Sequence, residues 1–136
     1  MRRSLFLCGV LASGVGLLLP AVSLSAHHSV AAGYDMDKTV TVSGTVAKME
    51  WRNPHALLTV EAKDAQGQTE SWSVWFGSAN GLYRRGWRQE DLPVGAAVTV
   101  EGFQARDGSL QLYGGGQTRL ADGKVLFGGD APAEGR

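Results

Sequence analysis

Apolar and polar side chains alternate in run after run of this chain, and that alternation limits its fold more than any other feature. Val40, Val42 and Val46 alternate with Thr39, Thr41, Ser43 and Thr45. A period of two turns one set inward and the other toward water, so residues 39–51 read as a half-buried strand. Gly44 interrupts the apolar set, and a glycine inside a strand marks a bulge or a sharp bend. Arg52-Asn53-Pro54 reads as a turn, because Pro54 cannot donate to a ladder. Ala56, Leu58, Val60 and Ala62 then alternate with Leu57, Thr59 and Glu61, giving a second strand. Asp64-Ala65-Gln66-Gly67 has the chemistry of a hairpin loop, with Gly67 at the left-handed position. A third strand covers residues 69–76, with Trp72, Val74 and Phe76 on one face and Ser71, Ser73 and Trp75 on the other.

The period then changes. Ser78 is a helix cap, Ala79, Leu82 and Tyr83 follow at helical spacing, and Gly86 can end the helix in the left-handed conformation. Residues 78–85 are therefore expected to form a short helix, with Tyr83 and Trp87 as its core contacts. Asp91 to Gly95 reads as a turn, residues 97–103 as a fourth strand and Asp107-Gly108 as a hairpin signal. Residues 110–113 begin a fifth strand, which Gly114-Gly115-Gly116 breaks. Residues 117–127 read as a closing hairpin, and residues 29–38 as a lead-in with little periodicity. Three strands, one short helix and two or more strands is the element order of an OB-fold, a five-stranded Greek-key barrel. The expected fold is all-β with one short helix and OB-fold-like. A long first strand with a glycine in its middle suits a barrel, where that strand must bend to serve both sides. A generic β-sandwich is the alternative.

The first 26 residues have a different character. Arg2-Arg3 leads into the apolar block Leu5 to Ala12 and then Val15 to Leu19, broken at Pro20, with small residues close to Ala26. This is the layout of a cleavable signal peptide, and it predicts a periplasmic or secreted protein. The block is too short and too interrupted for a membrane span, which needs roughly 20 apolar residues. Arg2-Arg3 leaves open whether export follows the general or the twin-arginine route. The expected division is a signal peptide over 1–26, the OB-like domain over 27–127 and a disordered tail over 128–136, rich in Gly, Ala and charge. Removing residues 1–26 from the 136 leaves 110, and takes two of the 13 basic side chains and none of the 13 acidic ones, for a formal charge of −2. Such a domain has no electrostatic pull toward nucleic acid or anionic membrane. Cys8 lies within the signal and is the single cysteine, so the mature chain has neither disulfide nor thiol chemistry.

Several motifs recur together in one known group. Ala26-His27-His28-Ser29, Gly44-Thr45-Val46, Glu50-Trp51-Arg52-Asn53-Pro54-His55, Gly77-Ser78-Ala79-Asn80, Arg84-Arg85-Gly86-Trp87 and Val98-Thr99-Val100-Glu101-Gly102-Phe103 stand in order along the chain. In this combination the sequence resembles a group of short exported bacterial proteins catalogued as domain of unknown function 6152. The resemblance spans nearly the whole mature chain. It implies an exported single domain and carries no catalytic residues with it. Many such proteins have Ala three residues before the signal junction, where this chain has Leu24, so the cleavage bond stays open.

Two clusters carry candidate chemistry. The first is His27 and His28, with His55 as a distant third histidine. After a cut following Ala26, the free amine and the ring of His27 chelate one metal, and His28 or His55 is a further nitrogen donor. Amine and imidazole nitrogens in a tetragonal set suit Cu(II). After a cut following Ser25, the chain begins Ala26-His27-His28, and a histidine in third place also binds Cu(II) or Ni(II). A cut after Ala21 removes both arrangements, and the plain reading of the pair is two solvated histidines. The second cluster is Trp51, Arg52 and His55 in the first interstrand loop, with Trp75 on the polar face of strand three. Aromatic platforms beside a guanidinium and an imidazole suit a small anion, a sugar or a peptide. The plain reading of this loop is a turn fixed by Pro54, with Trp51 filling the barrel end.

Arg84, Arg85 and Arg88 form a basic group that equally suits a helix C-terminus, so nucleic acid is not expected as a partner. The sequence has no phosphate loop, nucleophile elbow or zinc-protease motif. The reading that follows is a non-catalytic binding module with an unknown small ligand and a possible copper site. A protein-interaction module of the cell envelope is the alternative.

Overall fold

A computed structural model of the chain describes residues 30–128. A short helix α1 (Val30–Gly33) leads into β1 (Tyr34–Glu50), β2 (Leu57–Lys63) and β3 (Thr69–Trp75). Helix α2 (Ala79–Arg84) and a single 3-10 turn (Gln89–Asp91) follow, then β4 (Ala97–Ala105), β5 (Gln111–Tyr113), β6 (Gln117–Leu120) and β7 (Val125–Phe127). The strands run β1-β2-β3-β5-β4, and β4 pairs again with β1, which closes a five-stranded barrel. β3 and β5 are parallel, while the other pairings are antiparallel. The expected OB-like barrel is therefore the observed fold. The β6–β7 hairpin extends it: β6 lies along the Val98–Val100 portion of β4, and β5 along Phe103 and Gln104.

One long strand makes the closure possible. β1 is 17 residues long; it pairs with β4 from Tyr34 to Thr45 and with β2 from Gly44 to Glu50. Gly44 belongs to both pairings, at the point where the strand passes from one side of the barrel to the other. A Cβ there would collide with the Glu61 carbonyl and a Val60 methyl, so only glycine permits the crossing. The bulge itself falls slightly later, between Val46 and Lys48. It inserts one residue and reverses the phase of the alternation. Val40, Val42 and Val46 face the core before it, and Met49 and Trp51 pack against the core after it.

The lead-in differs from the sequence expectation, because Val30–Gly33 is helical and the strand already starts at Tyr34. Its lack of periodicity has a physical cause. The pairing shifts register between Tyr34 and Thr39, and this projecting end is only partly covered, so no inward face needs apolar side chains.

The core fills the barrel. Leu58, Val60, Val74, Val100 and Leu112 are fully buried, and Leu82, Trp87 and Leu92 join them from α2 and the turn behind it. The ring centroids of Phe76 and Trp87 lie 5.1 Å apart. The Trp87 indole donates to the Phe127 carbonyl oxygen at 3.0 Å, satisfying a polar group that burial would otherwise strand. The local turn and cap chemistry is as the sequence predicts. Ser78 Oγ accepts from the Gly81 amide at 3.0 Å, and Gly67, Gly86, Gly108 and Gly123 all have positive φ. Gly114 passes against the Phe76 ring, where any side chain would clash, which explains part of the triple glycine.

Two expectations change. Tyr83 is 56% exposed, with the Arg88 guanidinium carbon 4.0 Å from its ring centroid, so it is a surface stack and not a core contact. Gly128, placed in the tail by the sequence, is buried and accepts from Arg85 at 3.1 Å. The remaining tail and the signal segment lie outside the described residues. Among the described residues, no helix is long and apolar enough to cross a membrane.

Candidate functional site

The parallel pairing of β3 and β5 brings Trp75 beside Tyr113. Both residues belong to the outward sets of their strands, alternating with the buried Val74, Phe76 and Leu112. Gln111 is two residues from Tyr113 on the same face, and its Oε1 accepts from the Trp75 indole at 3.2 Å. The first residue of β1, Tyr34, leans toward Tyr113 with ring centroids 5.9 Å apart. Together with His55 these side chains line a cleft of about 480 Å³, and Val30, Ala32 and Gly33 form its remaining wall. The lining is mostly apolar, with a few polar groups set into aromatic walls, which is the usual makeup of a small-ligand site.

His55 follows the cis Asn53–Pro54 peptide bond in the loop between β1 and β2. That loop is tied to the start of α2: the Ala79 amide donates to the Arg52 carbonyl at 3.1 Å, and the Asn80 amide to Asn53 Oδ1 at 3.3 Å. The imidazole itself is exposed, and its Nδ1 lies 3.2 Å from the Phe76 carbonyl oxygen. A carbonyl can only accept, so in this contact Nδ1 is the donor, and Nε2 is left without a protein partner in it.

Arg106 fastens the wall formed by α1. Its Nε donates to the Ala31 carbonyl at 3.0 Å, and its backbone amide donates to the Gly33 carbonyl at 3.0 Å. Its guanidinium also lies 4.0 Å from Asp35. Burial raises the Tyr34 hydroxyl above its ordinary pKa, and the nearby Asp107 and Tyr113 add to the effect. Tyr34 thus offers the cleft a neutral hydroxyl at ordinary pH. The Ser109 hydroxyl and amide hold the Asp107 carboxyl below its usual range.

Of the four residues expected to bind a ligand, the structure brings His55 and Trp75 into the cleft lining. Arg52 stands beside them, its guanidinium carbon 5.9 Å from the Trp75 ring centroid and its Nε 3.7 Å from Glu50. Trp51 is not brought to the cleft. The bulge before it turns it inward, and it packs against the core. Tyr34, Gln111 and Tyr113 are cleft residues that the sequence reading missed. The outward alternation of Gln111 and Tyr113 around Leu112 was the signal that pointed to two of them. Of the three expected metal ligands, His55 is in the cleft, while His27 and His28 lie outside the described residues. Among the described residues, no group of three or more His, Cys, Asp or Glu side chains is placed to hold a metal ion.

No curated protein and no solved structure matches this chain. A family model matches residues 16–113, a range that includes all the motifs set out above, so the chain belongs to the family of unknown function DUF6152.

Proposed function

We propose that this protein is an exported, non-catalytic binding module of the bacterial periplasm, with the β3–β5 cleft as its ligand site. The cleft itself carries the reading: about 480 Å³ of space walled by Trp75, Tyr34 and Tyr113, with His55 and Gln111 as polar contacts. Aromatic walls supply contact area for a flat or ring-shaped ligand, and the few polar groups orient it. The Trp75–Gln111 hydrogen bond fixes both side chains in advance, so little rotamer freedom is left to lose on binding. Export is proposed from the charged start and apolar block of residues 1–26. Cu(II) binding through the newly freed amine and ring of His27 is part of the same reading.

Thermal-shift measurements on the mature protein with sugars, small carboxylates and short peptides test the site. A ligand that raises the Tm of the wild type, but not of Trp75→Ala or His55→Ala, belongs to the cleft. A panel without such a ligand, combined with a stably co-purifying envelope protein, would favour the interaction-module reading instead. Intact mass of protein recovered from the periplasm tests export and fixes the first mature residue.

A further inference from the structure

The side chains around the cleft are sorted by hydrogen-bonding role. An indole N–H can only donate, so the Gln111 oxygen is the atom that meets Trp75, at 3.2 Å. The Gln111 amide N–H groups have no partner among the described residues and remain as donors at the cleft wall. The Tyr34 hydroxyl and His55 Nε2 serve either role. The lining contains no Asp or Glu. A sugar presents many hydroxyl donors and would need such acceptors, whereas a ligand that mainly accepts hydrogen bonds matches what this wall offers.

The charges beyond Trp75 and beyond Tyr34 differ in sign. Past Trp75, Glu50 is shared between Lys48 Nζ at 3.2 Å and Arg52 Nε at 3.7 Å, so two cations face one carboxylate and a positive charge is left over. Arg52 is half-exposed, and its guanidinium carbon lies 5.9 Å from the Trp75 ring centroid, a loose contact that leaves its planar fork available. Past Tyr34 the balance is reversed. Arg106 stands 4.0 Å from Asp35, and Asp107 lies close enough to act on the Tyr34 hydroxyl, so one cation faces two carboxylates. An anion entering the cleft is thereby drawn toward Arg52 and turned away from the Tyr34 side.

We propose that the cleft takes a flat aromatic ring carrying a carboxylate: the ring lies among Trp75, Tyr34 and Tyr113, and the carboxylate meets Arg52 and the Gln111 amide. The inference rests on the cleft reading above and names its ligand class. Stacking on the aromatic walls supplies the contact area, and hydrogen bonds from a guanidinium and an amide fix which way round the ring enters. Binding gives up part of the Arg52–Glu50 contact, which is worth little in so exposed a pair.

The test is isothermal titration calorimetry of the mature protein with naphthoate and with naphthamide, its uncharged counterpart of nearly equal shape. Wild type is compared with Arg52→Gln, Gln111→Glu and Trp75→Ala, and circular dichroism verifies each fold. Arg52 is exposed, so Arg52→Gln is expected to keep the fold. Gln111→Glu keeps an oxygen for the Trp75 indole and replaces the donor amide by a negative charge. Naphthoate is expected to bind about ten-fold more tightly than naphthamide, the worth of one charge-assisted hydrogen bond, and to weaken with added salt. Arg52→Gln and Gln111→Glu should each weaken naphthoate by about ten-fold without weakening naphthamide. If naphthamide binds as tightly as naphthoate, the carboxylate is not read: the inference falls and the cleft reading survives. If naphthoate binding is unchanged in both Arg52→Gln and Gln111→Glu, the assigned anion contacts are refuted. If Trp75→Ala leaves it unchanged, the ligand sits outside the cleft and the inference falls. If naphthoate does not bind at all, the inference falls, and the sugar and peptide panel decides the cleft reading separately.

Discussion

Gly44 lies so close to the backbone carbonyl of Glu61 that even a methyl side chain would collide with it. The collision partner is backbone in the neighbouring strand, which cannot swing aside as a side chain can. Gly44→Ala is expected to destabilise the fold by about 1–3 kcal/mol, the usual effect of overpacking. Urea unfolding checks this: the midpoint should fall, with little change in the slope. An unchanged midpoint would mean that β1 crosses the barrel with room to spare.

Thr118 gives a prediction of opposite sign. Its side chain is fully buried in β6, and Oγ1 has no hydrogen-bond partner among the described residues. A buried hydroxyl without a partner carries a desolvation penalty of about 1–3 kcal/mol. Thr118→Val keeps the shape and removes the hydroxyl, so it should raise stability by up to about that amount. A lower Tm in the variant would show that the hydroxyl has a partner in solution, such as water.

Tyr34 sets a pH dependence on the alkaline side. Its folded pKa is raised, chiefly by burial and then by Asp107 and Tyr113. An unfolded chain releases the tyrosine proton at about pH 10, while the folded chain holds it longer. Above that pH the native state binds more protons than the unfolded one, so stability falls as pH rises until the folded group also titrates. Tyr34→Phe should remove this part of the alkaline loss. Absorbance at the tyrosinate band should show one delayed titration in the wild type that is missing in the variant.

Arg106 holds the α1 wall through its side chain. Arg106→Ala removes the hydrogen bond to Ala31 and leaves the backbone bond to Gly33 intact. The exposed contact with Asp35 adds little to the effect. A local loss of about 1 kcal/mol is expected, or about five-fold faster amide exchange around residues 31–36 with global stability nearly unchanged. Exchange unchanged in that segment would assign the wall to other contacts.

Much of the barrel is legible in the sequence because its strands are half-buried. Trp72, Val74 and Phe76 against Ser71, Ser73 and Trp75 separates core from surface in β3 by alternation alone, and the same alternation points Trp75 outward. For Trp51 the sequence offers both a ligand contact and the barrel end, and it cannot choose, because a bulge is a statement about pairing. Nothing in the sequence from Val46 to Trp51 announces that one residue is inserted opposite β2. The cleft itself depends on the parallel contact of β3 with β5, whose partners lie 38 residues apart at Ser73 and Gln111. Local periodicity reports which way a side chain points from its strand. It does not report which distant strand lies alongside, so Tyr34, Gln111 and Tyr113 could be read as outward residues but not as neighbours of Trp75.

The wall formed by Val30–Gly33 has a practical consequence. Val30, the first described residue, lines the cleft, so under the proposed cut after Ala26 a group joined to the new amino terminus is three residues from that wall. A histidine tag at that end would bring foreign imidazoles close to the cleft. A carboxy-terminal tag leaves the Val30–Gly33 wall as it is and is the better choice for binding work.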